Sequence, residues 1–471
     1  MVHFSTLDIL LILLYFSAVL FIGFRTARRK KDSTDEYLLA GRTLTLPMFV
    51  ATLVSTWYGG ILGVGEYSYR YGISNWVVFG VPYYFFALVF ALTLAKKARA
   101  TNLFSIPDKL YAAYDTKTSL LGAALTFVLI SPAPYVLMLG ILVQLMFGLN
   151  LTLSVILSSA AALVYLYSGG FRSDVYTNAL EFILMFLGFA VIVPFSYLKF
   201  GGFDFLQHHL PPLHLTWNGG NSLQFVIVWF FIAMWTLIDP AFHQRCYAAK
   251  DGTTAKRGIL FSIPFWFVFD FMTSTAGLYA RASLPNLSQP VFAYPMLAEI
   301  TLPSVAKGLF YIGMLATIMS SLSSLTFIGG GTIGNDIIGR ILLQEKTEIR
   351  AAAITVWTKI GLIITALLAI VLALEIPSVV KLWYVIGTSV IPGLLVPLIA
   401  SYFPRFHIPA PFAFAAMALG WLTSTVWLIA GQCNGGAYPL SLEPMYPGLL
   451  LSLVCWGMGK FKVQSSKLKV Q

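Results

Sequence analysis

Thr317, Ser320, Ser321 and Ser324 stand at i, i+3, i+4 and i+7, so on a helix their hydroxyls form one stripe along a single face. The stripe lies inside the apolar run Ala306 to Ile328, beyond the reach of bulk water, where a polar group needs a partner. Uncharged oxygen donors at that depth suit a small, hard cation. Hydroxyls and carbonyls hold a monovalent ion weakly enough to release it, whereas a carboxylate cage favours a divalent one. Small residues on one face also let helices pack closely, so the stripe has an architectural reading too.

A stripe of this kind has to be carried by a bundle of spans. The chain has 471 residues, 58% apolar and 10% charged, which excludes a soluble globular domain and predicts an all-α polytopic membrane protein. Windows of about 20 residues give about thirteen transmembrane helices. They fall at 7–24, 46–71, 75–95, 118–148, 151–168, 176–198, 223–246, 258–282, 306–330, 352–374, 379–402, 409–430 and 445–459. The first is read as a retained helix rather than a signal peptide, because no small-residue cleavage site follows it. It ends in Arg25, Arg28, Arg29, Lys30 and Lys31, which predicts an N-out, C-in topology. Of the 30 Lys and Arg, only Arg70, Lys199, Arg281, Lys307 and Lys381 then lie outside. The net charge of +11 is therefore a signal of orientation in a lipid bilayer, and no nucleic acid is expected as a partner. Three cysteines, Cys246, Cys433 and Cys455, suggest no disulfide framework. Phe104 to Asp115 reads as a short interfacial helix.

Two spans carry helix breakers at mid-membrane: Ser55-Thr56-Trp57-Tyr58-Gly59-Gly60 and Trp235-Thr236-Leu237-Ile238-Asp239-Pro240. Irregular backbone at that depth is tolerated where it lines a cavity. The two breaks are five spans apart. That spacing predicts a five-plus-five inverted repeat of the leucine-transporter type, with a discontinuous first helix in each half. The halves would be 46–200 and 201–405, flanked by peripheral segments 1–45 and 406–471.

Further local patterns follow in order: Glu36-Tyr37-Leu38-Leu39-Ala40-Gly41-Arg42, Ile106-Pro107-Asp108, Ser168-Gly169-Gly170 through Thr177-Asn178, His243-Gln244-Arg245, and Ile318-Met319-Ser320-Ser321-Leu322-Ser323-Ser324. With these, nearly the whole chain resembles the sodium:solute symporter family, which includes carriers of proline, pantothenate, sialic acid, sugars, iodide and choline. The resemblance implies a sodium site built from the carbonyls of Leu53, Thr56 and Thr317 and the hydroxyls of Ser320 and Ser321. In some members a second sodium site uses the later serines, here Ser323 and Ser324, with an Asp where this chain has Asn178. Glu181 is nearby, but the usual charge is missing, which favours a single sodium. Sodium is thus the expected coupling ion, with no organic cofactor, in a cell (plasma or inner) membrane.

In such an architecture the solute sits beside the two breaks, which makes Ser55, Trp57, Tyr58, Tyr135, Trp235 and Asp239 candidate contacts. Glu66, Asp239 and Asp270 are intramembrane acids, expensive to bury and usually either functional or paired. Asp239 has His243 at i+4 and Arg245 near enough to neutralise it. If it faces the solute instead, a cationic or amine-bearing cargo is favoured, whereas a free half-helix N-terminus favours a carboxylate. No GxxxxGK[ST] loop, HExxH or nucleophile elbow is present, which points away from an ATP-driven pump or an enzyme. The expected function is sodium-coupled symport of a small organic solute by alternating access. A proton-coupled carrier of the same fold and a facilitative pore or channel are the alternatives.

Overall fold

The computed structural model describes residues 2–27, 33–341 and 348–468; the basic run Arg28–Lys31 lies outside the described residues. Helix α1 (Thr6–Ala27) is followed by α2 (Leu46–Trp57) and α3 (Ile61–Tyr71), then α4 (Val81–Thr93), the short α5 (Ile106–Ala113), α6 (Thr116–Leu129) and α7 (Ala133–Phe147). Next come α8 (Leu151–Phe200), α9 (Leu223–Ile232), α10 (Trp235–Ile238), α11 (Pro240–Ala248), α12 (Gly252–Ser283) and α13 (Ala306–Gly331). The chain closes with α14 (Glu348–Glu375), α15 (Val379–Tyr402), α16 (Ala410–Cys433) and α17 (Met445–Leu468).

Among the described residues ten helices are long and apolar enough to cross a membrane, or eleven if the bent pair α2 and α3 counts as one span. Two of the expected spans differ from this set. Residues 151–168 form the first arm of the 50-residue α8, where only the shorter apolar stretch Leu151–Ala160 stands apart from the span Gly169–Phe200. The last expected span is helical in α17 but outside the set. The two arms of α8 meet at Gly170, whose φ of +61° breaks the helical geometry. A Cβ there would come within 2.8 Å of the Tyr37 carbonyl oxygen, so glycine serves both the turn and the close approach.

Both expected breaks are present. α2 and α3 are inclined by 56° across Tyr58–Gly60. α9, α10 and α11 form one interrupted span in which Asp239, at φ −68° and ψ 118°, leaves the helix just before Pro240. Proline cannot continue an incoming helix but is at home in the first turn of a new one.

The serine-bearing α13 is the centre of the molecule: 89% of its most apolar window is buried, against 28% for α1. It crosses the second arm of α8 at Gly188 and Gly313, where a Cβ added to Gly188 would lie 2.6 Å from the Gly313 Cα. Peripheral α1 still reaches α13, because Asp8 Oδ1 accepts the N–H groups of Val305 (2.8 Å) and Gly308 (2.9 Å). The segment expected as a short helix forms α5, with Ser105 as its N-cap accepting from the Asp108 N–H at 3.1 Å.

Candidate functional site

The stripe on α13 meets α2 where α2 ends. Ser320 Oγ lies 2.8 Å from the Ser55 carbonyl oxygen and 3.0 Å from that of Thr317, and Ser321 donates to the Thr56 carbonyl. Thr317 turns its own hydroxyl back to the Gly313 carbonyl, at 2.5 Å, leaving its carbonyl to Ser320. Four of the five residues expected at the first sodium site are thereby joined, with Ser55 contributing a further carbonyl. Leu53, one turn before Thr56, lines the adjoining cavity.

The residues proposed for a second ion meet a group that sequence reasoning did not assign. Asp174 on α8 accepts from Ser323 Oγ through Oδ1 (2.8 Å) and from Ser324 Oγ through Oδ2 (2.7 Å). Asn178 Nδ2 reaches Asp174 Oδ2 (3.2 Å), Ser324 Oγ (3.0 Å) and Thr56 Oγ1 (3.3 Å). Arg245 of α11 joins the same cluster, with Nη2 2.8 Å from Ser324 Oγ, 2.9 Å from Thr56 Oγ1 and 3.4 Å from Asp174 Oδ2. Asp174 and Arg245 are both fully buried. The signal for Asp174 was its position at i−4 from Asn178, on the face turned to α13. Arg245 was expected beside Asp239, and it forms its ion pair with Asp174 instead.

A cavity partly open to solvent lies between the two breaks. Of the six candidate contacts, Trp57, Tyr58, Tyr135, Trp235 and Asp239 line it, whereas Ser55 does not: its hydroxyl bonds the Ala51 carbonyl of its own helix at 2.9 Å. Tyr83, Trp229 and Trp383 add aromatic wall that the sequence did not single out, and nine of the twenty lining residues are aromatic. Trp57 packs edge-on against Tyr83 at 5.2 Å between centroids. Gly60 and Gly63 admit Trp383, since a Cβ on either would lie 2.2 or 2.8 Å from its ring.

The charge in that cavity is acidic. Asp239 Oδ1 caps α11 by accepting the N–H groups of Ala241 (2.7 Å) and Phe242 (3.1 Å). His243 makes no pair with it; Nε2 lies 3.1 Å from the Leu237 carbonyl and Nδ1 3.2 Å from the Tyr402 hydroxyl. Asp270 accepts from the phenols of Tyr58 and Tyr84. Glu66 is paired with Arg70 at 3.2 Å and stands outside the lining. No Lys, Arg or His lines the cavity among the described residues.

Beyond α13, Asn335 Nδ2 reaches Asp336 (2.8 Å) and Asp108 (3.4 Å), Ser105 Oγ donates to Asp336 (2.6 Å), and Arg340 pairs with Asp108. Burial pushes the Asp108 carboxyl above the usual carboxylate range, and the Arg340 guanidinium opposes that rise.

Comparison with known proteins places this geometry. The chain is 25% identical to the high-affinity choline transporter 1 of Drosophila melanogaster, covering 93% of this chain and 72% of that protein. It is also 25% identical to the sodium/pantothenate symporter of Escherichia coli (strain K12), covering 96% of both. Its fold is shared with a Na+-coupled sialic acid symporter solved in a substrate-bound outward-open state, at a TM-score of 0.77 and 16% identity over 96% of this chain and 97% of that one. Mhp1, a nucleobase-cation-symport-1 family transporter, aligns at a TM-score of 0.60 and 11% identity over 91% and 95%. A sequence model of the sodium:solute symporter family matches residues 37–420, and the chain belongs to that family.

Proposed function

We propose that the solute carried in this sodium-coupled symport is a small organic cation with an ammonium or quaternary ammonium head. The carrying observation is the cavity itself: Trp57, Tyr83, Trp235 and Trp383 stand around two carboxyls with no basic residue among the lining. Aromatic faces attract a desolvated cation through the ring quadrupole, and quaternary ammonium groups are the best-known ligands of such cages. The competing carboxylate reading loses its anchor, because the N–H groups that open α11 are already taken by Asp239. The other half-helix N-terminus, at Gly60, borders the cavity beside the Trp383 indole, and among the described residues no basic side chain joins it there to hold an anion. Choline is named for one relative and pantothenate for another, and the acidic, aromatic wall favours the first.

Sodium is assigned to the junction of α2 and α13, held by oxygens of Thr56, Thr317, Ser320 and Ser321, with Leu53 beside them. Leu53 and Thr56 also line the solute cavity, so an ion there stiffens one wall of it. Binding of sodium stabilises the solute-accepting outward state, and its loss on the other side favours release. Sodium influx at about 100 mV yields about 2.3 kcal/mol, and a tenfold gradient adds about 1.4. Thirteen crossings with the N-terminus outside, an inverted repeat over 46–200 and 201–405, and a cell membrane location complete the reading; the paired breaks support the repeat.

A thermal-shift screen of the purified full chain tests the solute class. Choline or a related amine should stabilise it in sodium and much less in potassium, while pantothenate and a neutral sugar should not. Sodium-dependent stabilisation by pantothenate would overturn the cationic reading and leave symport standing.

A further inference from the structure

Arg245 is buried to 0% exposure in the middle of the bundle, and the atoms around its guanidinium are oxygen ligands of the kind a small cation takes. Nη2 touches Ser324 Oγ (2.8 Å), Thr56 Oγ1 (2.9 Å) and Asp174 Oδ2 (3.4 Å), and Nη1 touches Gln244 Oε1 (3.1 Å). Phe171 lies under the guanidinium plane, with its ring centroid 5.3 Å from Cζ. Ser324 and its neighbours Ser323 and Asn178 are the residues that the family resemblance offers to a second sodium. A guanidinium has only donors to give, so it uses up the same lone pairs that a sodium ion would need.

We propose that Arg245 is a built-in cation occupying the second coupling-ion position, with Asp174 as its counter-charge, so that this carrier takes one sodium per transport cycle. The inference rests on sodium-coupled symport and is independent of which solute is carried. Asp174 stands one helical turn before Asn178 and meets both serines through its two oxygens, which supplies the negative charge that Asn178 lacks. Glu181, the other buried acid on that face of α8, accepts from Tyr15 of α1 at 3.1 Å and so serves a different contact.

The placement also has a mechanical side. Arg245 belongs to α11, beyond the break at Asp239, while its partners sit on α2, α8 and α13. A sodium ion in this position would bridge those helices while bound and release them on leaving. A tethered guanidinium does not dissociate into solvent as an ion does, so α11 carries its own means of joining α2 and α13.

The test is a count of radiolabelled sodium bound at saturation by the purified full chain, with the Hill coefficient of binding. The wild type should bind one sodium per chain with a coefficient near one. Arg245→Ala, which leaves the Asp174 carboxylate without its guanidinium, should bind two, whereas the paired variant Asp174→Asn with Arg245→Met should return to one. Two sodium ions on the wild type would overturn the proposal even if the variants failed to fold. One sodium on folded Arg245→Ala would overturn it as well. Wild-type protein that binds no sodium would remove the symport reading itself, a result distinct from a count of two.

Discussion

Gly59 lies so close to Ser321 that a Cβ on the glycine would sit 1.9 Å from the serine Oγ. The gap between α2 and α3 is thus closed by the serine that also donates to the Thr56 carbonyl. Gly59→Ala should raise the sodium concentration for half-maximal uptake by tenfold or more. A Gly59→Ala protein with unchanged sodium dependence would separate the break from the ion.

Each hydroxyl at the junction supplies one oxygen to the assigned ion. Ser320→Ala and Ser321→Ala should each raise half-saturating sodium by roughly tenfold, the equivalent of about 1.4 kcal/mol. Solute affinity at saturating sodium should change far less. Full uptake with an unaltered sodium curve in either variant would take that hydroxyl out of the site.

The aromatic cage has its own signature. A cation–π contact contributes about 0.5–2 kcal/mol, so Trp383→Leu should raise KM for an organic cation by roughly 2- to 30-fold, with Trp383→Phe in between. Uptake competition reads this directly. Equal KM values in the Phe and Leu variants would mean that Trp383 only fills space.

Carboxylates act on charge rather than shape. Asp270→Asn should weaken choline binding about tenfold and leave binding of its neutral carbon isostere, in which a tert-butyl replaces the trimethylammonium, within about twofold. Equal loss for both ligands would assign Asp270 to holding Tyr58 and Tyr84 in place, a purely structural role.

Packing at the crossing of α8 and α13 gives a prediction of stability. Gly188→Leu would force side-chain atoms into the Gly313 backbone, and overpacking of this kind costs about 1–3 kcal/mol. Thermal unfolding in detergent should show a lower midpoint with and without sodium.

Much of this arrangement is legible in the residues. Gly59, Gly60 and Pro240 interrupt helices for local reasons, so both breaks fall where the sequence puts them. The spacing of Thr317, Ser320, Ser321 and Ser324 likewise fixes a shared face. What escapes is pairing over distance: Asp174 and Arg245 are 71 residues apart, and no periodicity links them. Asp239 stands six residues before Arg245 and drew attention as its partner, whereas the direct ion pair is made with Asp174. Trp383 escapes for another reason, since in a chain that is 15% aromatic no single ring stands out until the glycines opposite it are seen.

The Asp8 cap on α13 bears on how the protein is made. Its acceptor atoms and the amides they hold are separated by 297 residues for Val305 and 300 for Gly308. At synthesis rates of about 5–20 residues per second, α1 therefore waits roughly 15–60 s before the other half of that contact leaves the ribosome. During that interval the Asp8 carboxyl, in the first turn of α1, has only its local bonds from Ser5, through the other oxygen, to hold it. That contact between α1 and the serine helix therefore belongs to the late steps of assembly.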